Sequence, residues 1–324
     1  MNIKKIISAM IVLTAALSVF SGCGASEKAS SDDKLSIVTT IFPEYDWTRE
    51  ILGDNAANAE LTMLLDNGVD LHSYQPTADD IIKISDCDLF IYVGGESDGW
   101  VDDVLKNSTN KDMKVVNFLD VLGDAVKNEE VVEGMQEEEH GEENEEEKDE
   151  HVWLSLKNAE VLCNAIADAL EEIDPDNKDV YSENASAYIA KLTALDKDYS
   201  DTVSNGARKT ILFGDRFPFR YMADDYGLNY YAAFAGCSAE TEASFETISF
   251  LAKKTDELEL PCVLAIEGAK HDIAETIVQN TASKNQKILT MDSMQAVTSE
   301  DIKSGVTYLT VMEKNLSALK EALN

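Results

Sequence analysis

The stretch that most constrains this fold is Asn177–Val203, a helical pattern with no Gly or Pro until Gly206. Its apolar residues fall at Val180, Tyr181, Tyr188, Leu192, Leu195 and Tyr199, with polar residues between them. At 1.5 Å rise per residue such a helix exceeds about 35 Å. That is longer than a helix inside one domain needs, and it suits a strut between two lobes.

Strand and helix signals alternate on both sides of this strut. Before it, strands are expected at Leu35–Thr40, Glu60–Leu65, Asp88–Val93 and Val115–Phe118, with helices at Pro43–Leu52, Pro76–Ser85 and Trp100–Lys106. Leu156–Ile173 then carries apolar residues at helical spacing and stops before Asp174-Pro175. After the strut, strands are expected at Thr210–Phe213, Tyr230–Phe234, Val263–Ile266 and Lys287–Thr290. Helices fall between them, and Val306–Leu323 closes the chain. This rhythm predicts parallel α/β layers. Such sheets bind ligands outside the carboxyl ends of their strands, so both lobes point loops at a shared cleft. The sequence has no dinucleotide fingerprint, P-loop or nucleophile elbow.

The N-terminus reads as a targeting segment. Lys4 and Lys5 precede an apolar run, Ile6–Phe20, which ends Phe20-Ser21-Gly22-Cys23. This resembles a bacterial lipoprotein box, with Phe20 where leucine is usual. Residues 1–23 are therefore expected to be a signal peptide with Cys23 lipidated, and residues 24–34 a polar tether. Lobes of 35–176 and 206–324 would flank a linking helix of 177–205. The formal net charge of −35 repels phosphates and excludes nucleic acid as a partner. Cys87, Cys163, Cys237 and Cys262 lack CxxC spacing and read as buried free thiols.

The chain has four histidines, His72, His140, His151 and His271. His140 lies in an acidic loop (133–150) whose run Glu137–Glu150 cannot bury itself, because like charges repel and hold water. His151 stands where order resumes. His72 follows the second strand with Asp66 and Asp70 nearby, and His271 reads as a surface residue at a helix start.

Two of these segments carry a family resemblance. Leu65–Leu89 (LDNGVDLHSYQPTADDIIKISDCDL) and Glu150–Leu170 (EHVWLSLKNAEVLCNAIADAL) resemble the first and second histidine motifs of bacterial zinc/manganese solute-binding lipoproteins. The likeness runs over nearly the whole mature chain, and the acidic loop sits where zinc-specific members carry a charged loop. It implies an α/β fold of two Rossmann-like parallel-sheet lobes joined by one long rigid backbone helix, with a metal cleft between them. It also implies metal ligands at His72 and His151, and a last carboxylate at Asp292 in LTMDSM. The pattern departs at the third ligand, where counting back from Tyr226-Gly227-Leu228 puts Arg216 at the ligand position. A guanidinium has no lone pair to give. Asp215 is the expected replacement. The alternatives are Glu240 or Glu242, or a water ligand with Arg216 paired to a carboxylate.

Two imidazoles and one or two carboxylates suit Zn2+, and more oxygen ligands would favour Mn2+. Both imidazoles must be unprotonated, so affinity should fall as pH drops through about 6.5. The strut should limit closure to small tilts and loop ordering. The expected role is a binding protein and not an enzyme. It would be a monomer held at the outer face of the cell membrane by its lipid, feeding the permease and ATPase of an ABC importer. A metallohydrolase would need a general base, and no HExxH-type element is present. A third possibility keeps the fold and holds a small organic anion through Asp215 and Arg216.

Overall fold

The computed structural model describes residues 34–136, 147–238, 242–268 and 270–324. Cys23, His140, Glu240 and most of the acidic run lie outside them. Residues 35–324 form one compact unit built on two four-stranded sheets. The first comprises β1 (Leu35–Thr39), β2 (Ala59–Met63), β3 (Leu89–Tyr92) and β4 (Lys114–Asn117), in the order β2-β1-β3-β4 and all parallel. The second repeats the pattern as β6-β5-β7-β8, from β5 (Thr210–Phe217), β6 (Asn229–Ala235), β7 (Cys262–Ala265) and β8 (Lys287–Thr290). In each sheet the chain steps outward from its first strand and then crosses back past it. Open α/β sheets bind ligands beyond the carboxyl ends of the strands at such a switch point.

In the first half, α1 (Phe42–Leu52), α2 (Ala78–Asp86), α3 (Val101–Lys106) and α4 (Phe118–Leu122) connect or follow the strands. The sequence pattern counted Phe118 in the fourth strand. Asn117 instead ends the strand and caps α4, its side chain accepting from Asp120 N. Ser155 caps α5 (Leu156–Ile173), which buries Leu156, Ala159, Leu162, Cys163, Ile166 and Leu170 along one face.

The long helix α6 (Lys178–Asn205) extends about 42 Å at 1.5 Å per residue. Tyr181, Ala185, Tyr188, Leu192, Leu195, Tyr199 and Val203 form its buried stripe. Near one end Asn184 Nδ2 donates to the Ile51 carbonyl of α1 at 3.0 Å. Near the other, Tyr199 Oη donates to the Met312 carbonyl at 2.7 Å, in α11 (Tyr308–Ala322). One apolar core therefore runs from β1 and α1 through α5 and α6 into β5 and α11.

The remaining helices are α7 (Arg220–Tyr226), α8 (Phe245–Glu257), α9 (Asp272–Asn280) and α10 (Ser299–Lys303). A smaller apolar cluster lies between the second sheet and α8 and α9. The β5 strand runs past the expected end at Phe213. Its register against β6 shifts between Phe213 and Arg216, so Gly214 and Asp215 form a bulge. A Cβ at Gly214 would come within 2.5 Å of the Ala274 backbone, so glycine there lets α9 pack onto the bulged strand. No helix among the described residues is long and apolar enough to cross a membrane.

Candidate metal centre

Four strands of the two sheets deliver the candidate residues at or beyond their carboxyl ends. His72 sits in a one-turn helix, Leu71–Ser73, after β2, and the Asp70 carboxylate accepts its backbone N–H at 3.0 Å. The loop is pinned to the second half of the chain, where Ser299 N donates to the Asp66 carbonyl. His72 Nδ1 lies 2.8 Å from Ser97 Oγ and 3.5 Å from Glu150 Oε2.

His151 is fully buried. The Asp149 carboxylate accepts both its backbone N–H and its Nδ1–H, each at 2.9 Å. That bond fixes the tautomer and leaves a lone pair on Nε2. Trp153 backs the site, its Nε1 donating to the Ser293 carbonyl at 2.8 Å. Tyr221 Oη from α7 donates to the Asp149 carbonyl at 2.8 Å and holds this segment from the other side.

With each Nδ1 occupied, the two Nε2 atoms face one another at 3.3 Å. Two nitrogens bound to one tetrahedral ion at 2.0–2.1 Å would stand about 3.3–3.4 Å apart. The pair therefore already has the spacing of two ligands on a single cation.

The end of the acidic run corrects the sequence expectation. Asp149 and Glu150 are 2% exposed, not solvated. Glu150 Oε1 accepts from Ser97 N at 2.9 Å, while Oε2 is buried without a hydrogen-bond partner among the described residues. The stem of the loop is also ordered, with Asn128 and Lys148 bridged and Gln136 N donating to the Ala233 carbonyl.

Burial governs the electrostatics. It pushes the His72 imidazole down to about 3, with the neighbouring His151 adding to the effect. Burial alone would lower His151 too, but its bond to Asp149 and that carboxylate's charge hold it above its ordinary value. Burial would raise Asp70, yet the Arg216 guanidinium keeps it below the usual carboxylate range.

Arg216 does not face the imidazoles as a ligand could. It donates to Asp70 Oδ2 at 2.7 Å and to the Ser238 carbonyl at 3.3 Å. Asp215, the expected replacement, spends both oxygens on backbone donors, Arg216 N at 2.9 Å and Ile266 N at 3.3 Å. Burial raises its carboxyl. Asp292 gives Oδ1 to Met294 N at 2.7 Å and lies near Glu267, each carboxyl raised by burial. Neither acid belongs to the cluster around the histidines among the described residues. Glu242 is exposed and also outside it. His271 is half-buried, not on the surface, with its Nδ1 enclosed and unpartnered among the described residues.

The residue that sequence reasoning missed is Cys237. Cys87, Cys163 and Cys262 are buried free thiols as expected, and Cys237 is free but only half-buried. Its ligand atom and those of His72 and His151 all lie within 4.8 Å of one another. No local pattern could reveal this, because Cys237 lies 86 residues from His151.

A family model described as ZnuA, zinc-uptake complex component A periplasmic, matches residues 37–322. Zinc-binding lipoprotein AdcA of Streptococcus pneumoniae serotype 4 is 35% identical over 315 residues, covering 96% of this chain and 60% of that protein. The chain thus spans about 60% of the length of the AdcA relatives it matches. High-affinity zinc uptake system protein ZnuA of Bacillus subtilis is 31% identical over 331 residues, covering 98% of this chain and 97% of that one. The crystal structure of the Zn(II)-bound ZnuA-like domain of S. pneumoniae AdcA superposes with a TM-score of 0.70 at 32% identity, covering 90% of this chain and 99% of that one. With this match over almost the whole described chain and the paired imidazoles at the sheet ends, the chain belongs to the family of zinc-uptake complex component A, periplasmic.

Proposed function

We propose that this chain is the extracytoplasmic solute-binding lipoprotein of an ABC importer, capturing Zn2+ and delivering it to a membrane permease and its ATPase. The observation that carries this reading is the 3.3 Å approach of His72 Nε2 and His151 Nε2, with each Nδ1 held by an oxygen. At this distance the two nitrogens either share one N–H···N hydrogen bond or are bridged by a cation, and His151 Nε2, whose ring gives its Nδ1–H to Asp149, has a lone pair for either. Buried acids at Asp149 and Glu150 offset the cation's charge.

In this reading His72 and His151 bind the ion directly, and Asp292, from outside the present cluster, contributes Oδ2, the oxygen not given to Met294 N. Asp215, with both oxygens committed, is not retained as a ligand. Residues 1–23 direct export, Cys23 carries the lipid anchor and residues 24–34 form the tether. Lobes 35–176 and 206–324 flank the linking helix 177–205, and the protein works as a monomer. Manganese would need a more oxygen-rich set than two imidazoles allow. An organic anion is not favoured, since Arg216 is already committed to Asp70 and Ser238.

The test is metal uptake and zinc affinity in a His72→Ala/His151→Ala double variant. Loss of stoichiometric zinc binding supports the proposal, and unchanged binding contradicts it.

A further inference from the structure

We propose that Cys237 is a direct ligand of the captured metal beside His72, His151 and Asp292, adding a thiolate that makes the centre prefer cations such as Zn2+ to Mn2+. This rests on the reading of His72 and His151 as ligands and assigns a further position on the same ion.

Two independent features bring the sulfur there, and a third readies the site for a dication. The first is proximity, with a ligand atom from each of the three residues inside one 4.8 Å group, and Cys237 Sγ 4.0 Å from Nδ1 on the edge of the His151 ring that faces Asp149. A zinc ion 2.0–2.1 Å from nitrogen and 2.3 Å from sulfur sets tetrahedral N···S separations of about 3.6 Å. From within the 4.8 Å group, the sulfur reaches that separation by moving toward the Nε2 side of the His151 ring.

The second is backbone support. Glu129, in the ordered stem of the acidic loop, accepts the Cys237 N–H at 2.7 Å. Gly236 lets this turn close onto the imidazole, because a Cβ there would lie 3.1 Å from His151 Nδ1 and 3.0 Å from the Phe217 carbonyl. On the other side of Cys237, Arg216 donates to the Ser238 carbonyl while it holds Asp70, two residues before His72. One guanidinium thus ties the loop of His72 to the loop of Cys237.

The third is charge. Glu150 is buried at the site, its Oε2 3.5 Å from His72 Nδ1 and without a hydrogen-bond partner among the described residues. An imidazole bound to a dication donates more strongly and would engage that oxygen. On binding, the Cys237 S–H bond breaks heterolytically, the sulfur lone pair forms the metal bond and the proton leaves to solvent. A soft thiolate favours zinc over manganese, which prefers oxygen ligands.

The experiment loads the metal-stripped protein with Co2+ alone and records its absorption spectrum. The proposal expects a thiolate-to-cobalt charge-transfer band that Cys237→Ser loses and Cys163→Ser keeps. The Cys237→Ser protein should still bind cobalt through its histidines, with zinc affinity reduced more than about 100-fold, beyond the usual effect of an outer-shell change. Its manganese affinity should move little, so the zinc-to-manganese preference shrinks. Because the serine variant could fold poorly, a second measurement uses the unaltered chain. Zinc should protect Cys237, and not an unrelated thiol, from alkylation followed by mass spectrometry. Cobalt bound without a thiolate band, a band that persists in Cys237→Ser, or alkylation of Cys237 unaffected by zinc would each overturn the assignment and leave the two-histidine reading standing. Failure of the unaltered chain to bind either metal would overturn both.

Discussion

Arg216 donates to the Asp70 carboxylate across 2.7 Å, joining the carboxyl end of β5 to the loop that carries His72. The sequence shows only an arginine where the family pattern calls for a ligand. The structure shows that this arginine fixes the loops around the site. Arg216→Ala should leave the half-buried Asp70 without its countercharge, held only by the His72 N–H, and lower stability by about 1.5–3 kcal/mol, the range for hydrogen bonds to charged groups. The Asp70 carboxyl is held low, so this contribution is present above its unfolded value near 3.9 and is lost as pH falls through the lower folded value. Thermal melts of the two proteins should therefore differ at neutral pH and converge in strong acid. Equal stability at pH 7 would show that the pair holds nothing.

Asp149 holds His151 through Nδ1, on the edge of the ring away from the Nε2 proposed to bind the ion. Asp149→Asn keeps the size but weakens the hold on Nδ1–H, and should cost 10–100-fold in zinc affinity. Competition with a chromogenic chelator reads this directly. An unchanged constant would mean that the tautomer is fixed by something other than this carboxylate.

Asp292 is proposed as the remaining oxygen ligand. Asp292→Asn should weaken zinc binding by about tenfold or more, whereas Asp215→Asn should alter stability and leave affinity nearly unchanged, since Asp215 serves backbone donors. The reverse order, measured by calorimetry on both variants, would restore Asp215 as the ligand.

Asp98, next to Ser97 and in the field of Glu150, supplies a pH test read on stability alone. Burial pushes its carboxyl up to about 7, with the charge of Glu150 adding, despite a bond from Gly94 N. The folded protein then holds this proton more tightly than the unfolded chain does. Stability contributed by the neutral form is lost as pH rises from about 4 through 7. Asp98→Asn should raise stability at pH 8 by about 1–2 kcal/mol and have little effect near pH 4. A variant less stable at pH 8 would refute the sign.

Much of the fold was legible because periodicity is local. The pattern over Leu156–Ile173 matches α5 residue for residue, and the strut expected at Asn177–Val203 is α6 to within two residues at either end. The parallel layers followed from the alternation of strand and helix signals. The β5 strand ran on unseen because Gly214 and Asp215 interrupt its pattern at a bulge. A Thr298-to-Asp301 capping box could have revealed α10.

The site was less legible because its contacts are remote in sequence. Charge density in the acidic run argued for solvation, yet Asp149 found an imidazole and Glu150 found the Ser97 N–H. Composition averages over such a run and misses its last two members. Cys237 belongs to the same class, since nothing in Gly236-Cys237-Ser238 indicates two distant histidines.

The central claim is that one cation is held between His72 and His151. Calorimetric titration of Zn2+ into the metal-stripped chain, beside the His72→Ala/His151→Ala variant, tests it most directly. The account predicts one tight site per chain in the unaltered protein and none in the double variant. Tight stoichiometric binding that survives the double substitution, or no tight site in the unaltered chain, would contradict it.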